Sequence, residues 1–595
     1  YLDDESKIAS DSTGVGSAGP VDVRVGGSLT VLNNSAISSS ATSLGDAGGV
    51  TVRAASLVLD DGDILSEARG DGNAGALNVT VTGPMRLSNG ALVSSNTFAF
   101  GLGGNVEVSA DSLTVEGLSQ ISSDARGSGD AGSVSVRVAG AMNVLDRAQV
   151  SSDSYSFGSA GNVTVTAGSL NADGFGNPTY ISSDALGGGD AGSVSVQVAG
   201  AMRVANRASV SSDTYSIGHA GNVNVHAGSL VVDGQGGLTF ISSDALGDGD
   251  AGSVSVRVDG AMAVINGGSV SSDTYSFGRA GNVNVDVGSL RVDGPGSTIS
   301  SKAWAFSSGQ TGTVSVTASD RITLANGGTL SIANEANVFD PSLLTPTRLT
   351  VTAPVVELQD ASITAASTGN VAASDIVVNV GKLLFLDPSS ISTSSVDGDG
   401  GAISILGPNA FVVLENSQIT TSVTGLLNGN GGDITIQALG LVLNTGFIQA
   451  NTAAASASGG DVNIDVQLLM PSGNSLFLGG STVLPFLPGV FGYNVIQAAA
   501  PDGFSGTIAV TAPVLDISGS LTGLTARSIN TGELGRSPCR LGAGSSLVQA
   551  GRGGFAPAAR DFLGADGLAV PQVPAQVQGS LHPIPLALVA ARCSS

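Results

Sequence analysis

Six short acidic runs are the residues in this chain whose type and spacing come closest to doing chemistry. They are Ile121-Ser122-Ser123-Asp124, Val150-Ser151-Ser152-Asp153, Ile181-Ser182-Ser183-Asp184, Val210-Ser211-Ser212-Asp213, Ile241-Ser242-Ser243-Asp244 and Val270-Ser271-Ser272-Asp273. A carboxylate that returns every thirty residues or so can attract cations or accept protons, and stacked copies repel one another if all are ionised. The row is therefore expected at solvated corners, with weak calcium binding as the alternative and catalysis as the remotest reading. Corners such as Gly249-Asp250-Ala251-Gly252 lack the nonapeptide period of calcium-binding rolls.

A polysaccharide hydrolase or lyase needs a local, asymmetric cluster, such as two paired acids or a base with a charge-stabilising partner. The acids here repeat with the scaffold instead. Only the irregular stretch Asn334-Glu335-Ala336-Asn337-Val338-Phe339-Asp340 breaks the pattern, which makes Glu335 and Asp340 the one pair to nominate. His219 and His226 have no copies in neighbouring repeats and no cysteine nearby, and His582 is flanked by a Pro-rich tail. A zinc site is not supported. The serines lack a nucleophile elbow and a histidine base, and no glycine loop carries a phosphate-binding lysine. No cofactor is expected, and the chain is read as a non-enzyme.

Aromatic residues recur in every second repeat, as Tyr155 with Phe157, Tyr215 with Ile217, and Tyr275 with Phe277; Phe98 with Phe100 and Trp304 with Phe306 extend the series. Rings about 10 Å apart, two strand spacings, are too distant to stack on each other but can form a line of separate contacts. Tyr155, Tyr215, Tyr275 and Trp304 are the candidate ligand contacts, against which sugar rings can pack. The ordinary alternative is a loop that tucks one aromatic over a strand edge.

The elements that must position these residues follow from the repetition. Near-copies of a 60-residue block start at Ile121, Ile181 and Ile241, and each block divides into two halves. Within one half, Val134, Val136 and Val138 alternate with polar residues, the period of a strand with one buried face. Ala141-Met142-Asn143-Val144-Leu145 and Ala148-Gln149-Val150-Ser151-Ser152 supply two further short strands. Three strands and three corners make one coil, and successive coils place like residues in ladders. The expected fold is an all-β, right-handed, single-stranded parallel β-helix of about 30 residues per coil.

Marker residues for the third strand are placed at Ile8, Ile37, Leu65 and Val93 upstream, and at Ile299, Leu330, Ile363, Ile391, Ile419 and Ile448 downstream. With the six central markers they give sixteen coils, or roughly 75 Å of rod. Gly161-Asn162, Gly221-Asn222 and Gly281-Asn282 are read as corners, the glycine for positive φ and the asparagine for capping.

Composition agrees with this architecture. The chain has 86 glycines and only 4% aromatic residues, which suits many turns and strands and disfavours long helices. Its 48 acidic against 23 basic residues give a net charge of −25, a field that repels nucleic acid and anionic membranes. No apolar run is long enough to predict a transmembrane helix. The domain reading is a repetitive rod over 1–467, less regular β-rich coils and a cap over 468–563, and a Pro-rich tail over 564–595. The only cysteines, Cys539 and Cys593, suggest a local disulfide clasp, with two unpaired thiols as the alternative.

Cys539-Arg540, Gly544-Ser545-Ser546-Leu547 and Gly551-Arg552-Gly553-Gly554 resemble the tail of filamentous-haemagglutinin-type exoproteins of bacterial two-partner secretion systems. Family members often continue with Leu-Pro-Pro, where this chain has Phe555-Ala556-Pro557. The resemblance implies a secreted or bacterial cell-surface β-helical rod exported through an outer-membrane transporter partner. It places the signal peptide and secretion domain before Tyr1. It also implies an adhesin or haemagglutinin that meets host or neighbouring-cell glycans or surface proteins through repeated weak contacts. The competing readings are a polysaccharide-processing β-helix enzyme and a purely structural matrix or envelope rod.

Overall fold

A computed structural model describes residues 1–512 apart from Gly236. The chain divides into two units, Tyr1–Val514 and Leu515–Ser595. The second unit lies outside the described residues, and with it Cys539, Cys593, His582 and the tail motifs.

Apolar alternation generates the first unit directly. Along Val134–Leu145 the residues Val134, Val136, Val138, Met142 and Val144 are buried, while Arg137 between them is exposed. Each valine pairs with its counterpart one coil on: Val134 with Val163, then Val194, Val223, Val254, Val283 and Val314. All these pairings are parallel, so the core is a stack of Val, Ile and Leu ladders running the length of the unit. The fold is an all-β parallel solenoid.

In the central coils the first two of the three expected strands are joined. Val134–Leu145 is one strand bent across a corner, with a register shift between Val138 and Ala141. Gln149–Ser151 remains separate. The shift falls at Gly140, where an added Cβ would come within 3.0 Å of the Asp111 carbonyl oxygen.

The marker ladder holds with one correction. Ile37 pairs with Ile64, and Ile64 with Val93, so the core residue of that coil is Ile64 rather than Leu65. Side chains alternate faces along a strand, so a one-residue slip turns Leu65 away from the core. The downstream series Ile299, Leu330, Ile363, Ile391, Ile419 and Ile448 pairs in register and continues to Ile496.

Beyond Leu468 the solenoid is interrupted rather than finished. A 3₁₀ turn at Ser472–Asn474 opens an excursion. Val495–Gln497 then rejoins the marker ladder, and Ile508–Thr511 pairs with Val462, Asn463, Ile464 and Asp465. Phe447 holds the excursion edge-on against Phe486 and Tyr493. Among the described residues no helix is long and apolar enough to cross a membrane.

The Gly-Asn corners need glycine for a different reason from the expected one. Gly161, Gly221 and Gly281 do not adopt positive φ. An added Cβ would instead lie 2.3, 2.3 and 2.0 Å from the glycine carbonyl oxygen of the coil below. Asn162, Asn222 and Asn282 each accept a backbone N–H from the following coil at 2.8 Å, as expected of a cap. Positive φ belongs to another corner, at Asn206 with Arg207, Asn266 with Gly267, and Asn326 with Gly327.

Candidate functional site

Every residue of a Ser-Ser-Asp run has a separate position. Gln149, Ser151, Asp153 and Tyr155 alternate along the chain and so share the face opposite Val150 and Ser152. Ser152 points inward: its hydroxyl accepts the Gly161 N–H at 2.8 Å and contacts the carbonyls of Ser123 and Gly132 at 3.0 and 2.7 Å. Ser123, Ser183, Ser212, Ser243 and Ser272 repeat this clasp between the strand and the glycine corners.

The aspartates form a ladder of their own. Asp124 accepts the N–H of Asp153 at 3.3 Å, Asp153 that of Asp184 at 3.0 Å, and Asp184 that of Asp213 at 2.9 Å. Asp213 then accepts from Asp244 at 2.8 Å, Asp244 from Asp273 at 2.9 Å, and Asp273 from Lys302 at 2.9 Å. Asn96 starts the row by accepting the Asp124 N–H.

This overturns the expectation of solvated corners. Asp124, Asp153 and Asp213 are buried, and Asp184, Asp244 and Asp273 keep only part of their surface exposed. The backbone N–H of the next coil draws each carboxyl against the strand, and flanking side chains cover it. Burial pushes the Asp124 carboxyl up to about 6, against the Asp153 N–H and the nearby Arg126. Burial raises Asp153, Asp184, Asp213 and Asp244 well above the ordinary range, and carboxyls in adjoining coils add to the effect. Asp273 rises to about 7 even though Lys302 pulls the other way.

The chain's own cations stand toward the two ends. The Arg126 guanidinium lies over the rings of Phe98 and Tyr155, at 5.4 and 5.9 Å. Lys302 takes the aspartate's position in register with Asp273. Its ammonium lies 3.2 Å from the Trp304 ring centroid and 2.6 Å from Glu335.

The four candidate contacts lie on this same face. Tyr155, Tyr215 and Tyr275 are 46, 48 and 38% exposed. Burial and the neighbouring aspartates raise all three phenols, Tyr155 to about 12. Trp304 does not keep the alternate-coil spacing: it follows Tyr275 in the next coil and stacks on it, with centroids 5.0 Å apart and planes at 16°. Sequence reasoning missed Leu186 and Leu246, exposed residues that fill the intervening coils through the same backbone ladder. It also missed Tyr180 and Phe240, two residues before Ser182 and Ser242 on this face; the alternation of the strand was the available signal.

The other nominated residues do not converge. Glu335 is paired with Lys302, while Asp340 caps the turn Pro341–Leu343 by accepting the Ser342 N–H. His219 accepts the Asp250 N–H through Nδ1, and His226 contacts Asp259 at 3.3 Å. Among the described residues no three metal-ligating side chains come together. A cavity of about 490 Å³ opens beside the irregular stretch 334–340, lined by Gln310, Thr345 and Asp399 among others, but by none of the acidic stripe. No family model, curated protein or solved structure matches the chain.

Proposed function

We propose that this chain is a secreted or surface-exposed rod that attaches to glycans or proteins of other cells by many weak contacts along one face. The observation that carries the reading is the continuous ridge of Tyr155, Leu186, Tyr215, Leu246, Tyr275 and Trp304, one residue per coil, above a row of carboxyls. Exposed aromatic and apolar side chains in a line present flat, partly polar surfaces to a partner. Their repetition on a rigid scaffold turns weak single contacts into avidity. The reading takes the chain as a non-enzyme of the filamentous-haemagglutinin type, exported through an outer-membrane β-barrel partner.

A glycan-array and cell-binding screen compares the full chain with the triple variant Tyr155→Ala, Tyr215→Ala, Tyr275→Ala. Loss of binding in a variant that keeps its far-ultraviolet spectrum is the expected result. Unchanged binding rejects this surface.

A further inference from the structure

A second row, two residues beyond the tyrosine ridge, is apolar and uncovered. The glycines from Gly16 to Gly278 stack so closely that none has room for a Cβ against the glycine carbonyl of the coil below, and the residue before each one therefore leaves the same corner in every coil. In alternate coils that residue is large. Phe100, Phe157, Ile217 and Phe277 are 72, 77, 65 and 75% exposed, and Leu44 and Val15 extend the row toward the N-terminus. In the coils between, the position holds Asp71, Ser128, Gly188 and Asp248.

The residue after each glycine follows the same alternation in charge. The apolar coils carry Leu102, Ser159, His219 and Arg279 there, whereas the coils between carry Asn73, Asp130, Asp190 and Asp250. These three aspartates accept the N–H of Ser159, His219 and Arg279, which holds them beside the row. One set of coils thus presents bulk with neutral or basic groups, and the other presents small or acidic ones. At Gly188 an added Cβ would meet Phe157 at 3.1 Å and Ile217 at 3.7 Å, so the gap there has a backbone floor and apolar walls.

Such a surface is complementary to itself displaced by one coil. We propose that a second copy of this chain covers the row, antiparallel, about a two-fold axis between the coils of Phe157 and Gly188. Phe157 of each copy then faces Gly188 of the other, Ile217 faces Ser128, and His219 faces Asp130. No carboxylate of either row stands opposite another, whereas a parallel copy in register sets Asp248 level with Asp248.

The extent of the row also fits this occupant. From Val15 to Phe277 it runs roughly 43 Å at one strand spacing per coil. Its apolar side chains, with Leu102, expose on the order of 800 Å², past the few hundred that a monomer ordinarily leaves in one patch and close to one partner's share of a stable interface. A partner must be equally long and share the two-coil period, and the chain itself meets both conditions. The pairing does not depend on the attachment reading.

The test is sedimentation equilibrium of the full chain at low and high salt, where a monomer–dimer equilibrium is expected. Phe157→Ser with Ile217→Ser and Phe277→Ser should weaken it about tenfold or more. All three side chains are exposed, so the variant is expected to fold, with thermal unfolding as the check. His219→Asp with Arg279→Asp sets acid against acid and should weaken the dimer about tenfold in low salt and less in high salt. In a chain carrying Cys539→Ser and Cys593→Ser, Gly188→Cys should be joined across the dimer by a short bis-maleimide and Leu44→Cys should not. A chain that stays monomeric, or a dimer that the serine variant leaves unchanged, overturns the proposal. Cross-linking through Leu44→Cys overturns the antiparallel arrangement. A monomer that instead floats with phosphatidylcholine vesicles, and ceases to in the serine variant, gives the row to lipid and overturns the second copy.

Discussion

The backbone N–H of Asp244 donates to the carboxylate of Asp213 across 2.8 Å, so one aspartate supports the strand that presents the next. The bond fixes a row of acids at strand spacing under a ridge of tyrosines and leucines. Regular hydrogen bonding stabilises the row, while desolvation and mutual repulsion oppose its ionisation.

That opposition sets the direction of the pH response. Carboxyls whose folded pKa is raised hold their proton in the native state, so their stabilisation is full below the unfolded value of about 4 and is lost as pH rises through the folded values. The cited values run from about 6 at Asp124 to about 7 at Asp273, with the intervening groups also raised. The thermal midpoint of the rod should therefore fall between pH 5 and pH 8, measured by circular dichroism. A midpoint that rises over this window contradicts the buried ladder.

Asp213→Asn separates charge from hydrogen bonding. Asparagine keeps an acceptor for the Asp244 N–H and removes a repelling carboxylate. We expect it to raise stability at pH 8 and to flatten the pH dependence, since burial and the neighbouring carboxyls disfavour the ionised form of Asp213. Asp213→Leu should destabilise by about 1–3 kcal/mol because the N–H loses its buried acceptor. Urea midpoints of both variants at pH 5 and pH 8 provide the comparison.

Serines on opposite faces should respond in opposite ways. Ser212 is buried and joins the Gly221 N–H to the Gly192 carbonyl, so Ser212→Ala should cost about 1–3 kcal/mol. Ser209, on the opposite face of the chain, has a buried hydroxyl without a partner, and Ser209→Ala should be neutral or stabilising. Denaturant unfolding of the two variants distinguishes the inward row from the outward one.

Glycine corners should be intolerant for steric rather than conformational reasons. Gly221→Ala places a methyl group 2.3 Å from a backbone oxygen, and we expect a loss of about 3 kcal/mol or more. At Gly26 an added Cβ meets nothing within 4 Å, so Gly26→Ala should leave the thermal midpoint nearly unchanged.

Much of the fold was legible in the sequence because β-solenoid pairing is local in pattern. The Val134, Val136, Val138 alternation and its recurrence specified the ladders, and marker residues from Ile299 to Ile448 found their register. Leu65 was misplaced because Ile64 and Leu65 are both apolar, and hydrophobicity alone does not choose between adjacent residues. The candidate tyrosines were visible as a repeat, but Leu186 and Leu246 were not, since the ridge exists only once the coils are stacked. The burial of Asp153 and Asp213 was misread for a related reason. A lone aspartate reads as a solvated corner, whereas the backbone N–H that draws it in comes from a residue 31 positions later.

The central claim is that attachment is distributed along the ridge, and graded substitution tests it most directly. Binding of surface-immobilised chain to target cells or glycan is measured for single, double and triple alanine variants at Tyr155, Tyr215 and Tyr275. Each substitution should weaken binding by a similar factor, and the factors should multiply to a loss of about a hundredfold or more in the triple variant. Full loss on changing one tyrosine, or no loss on changing all three, contradicts the account.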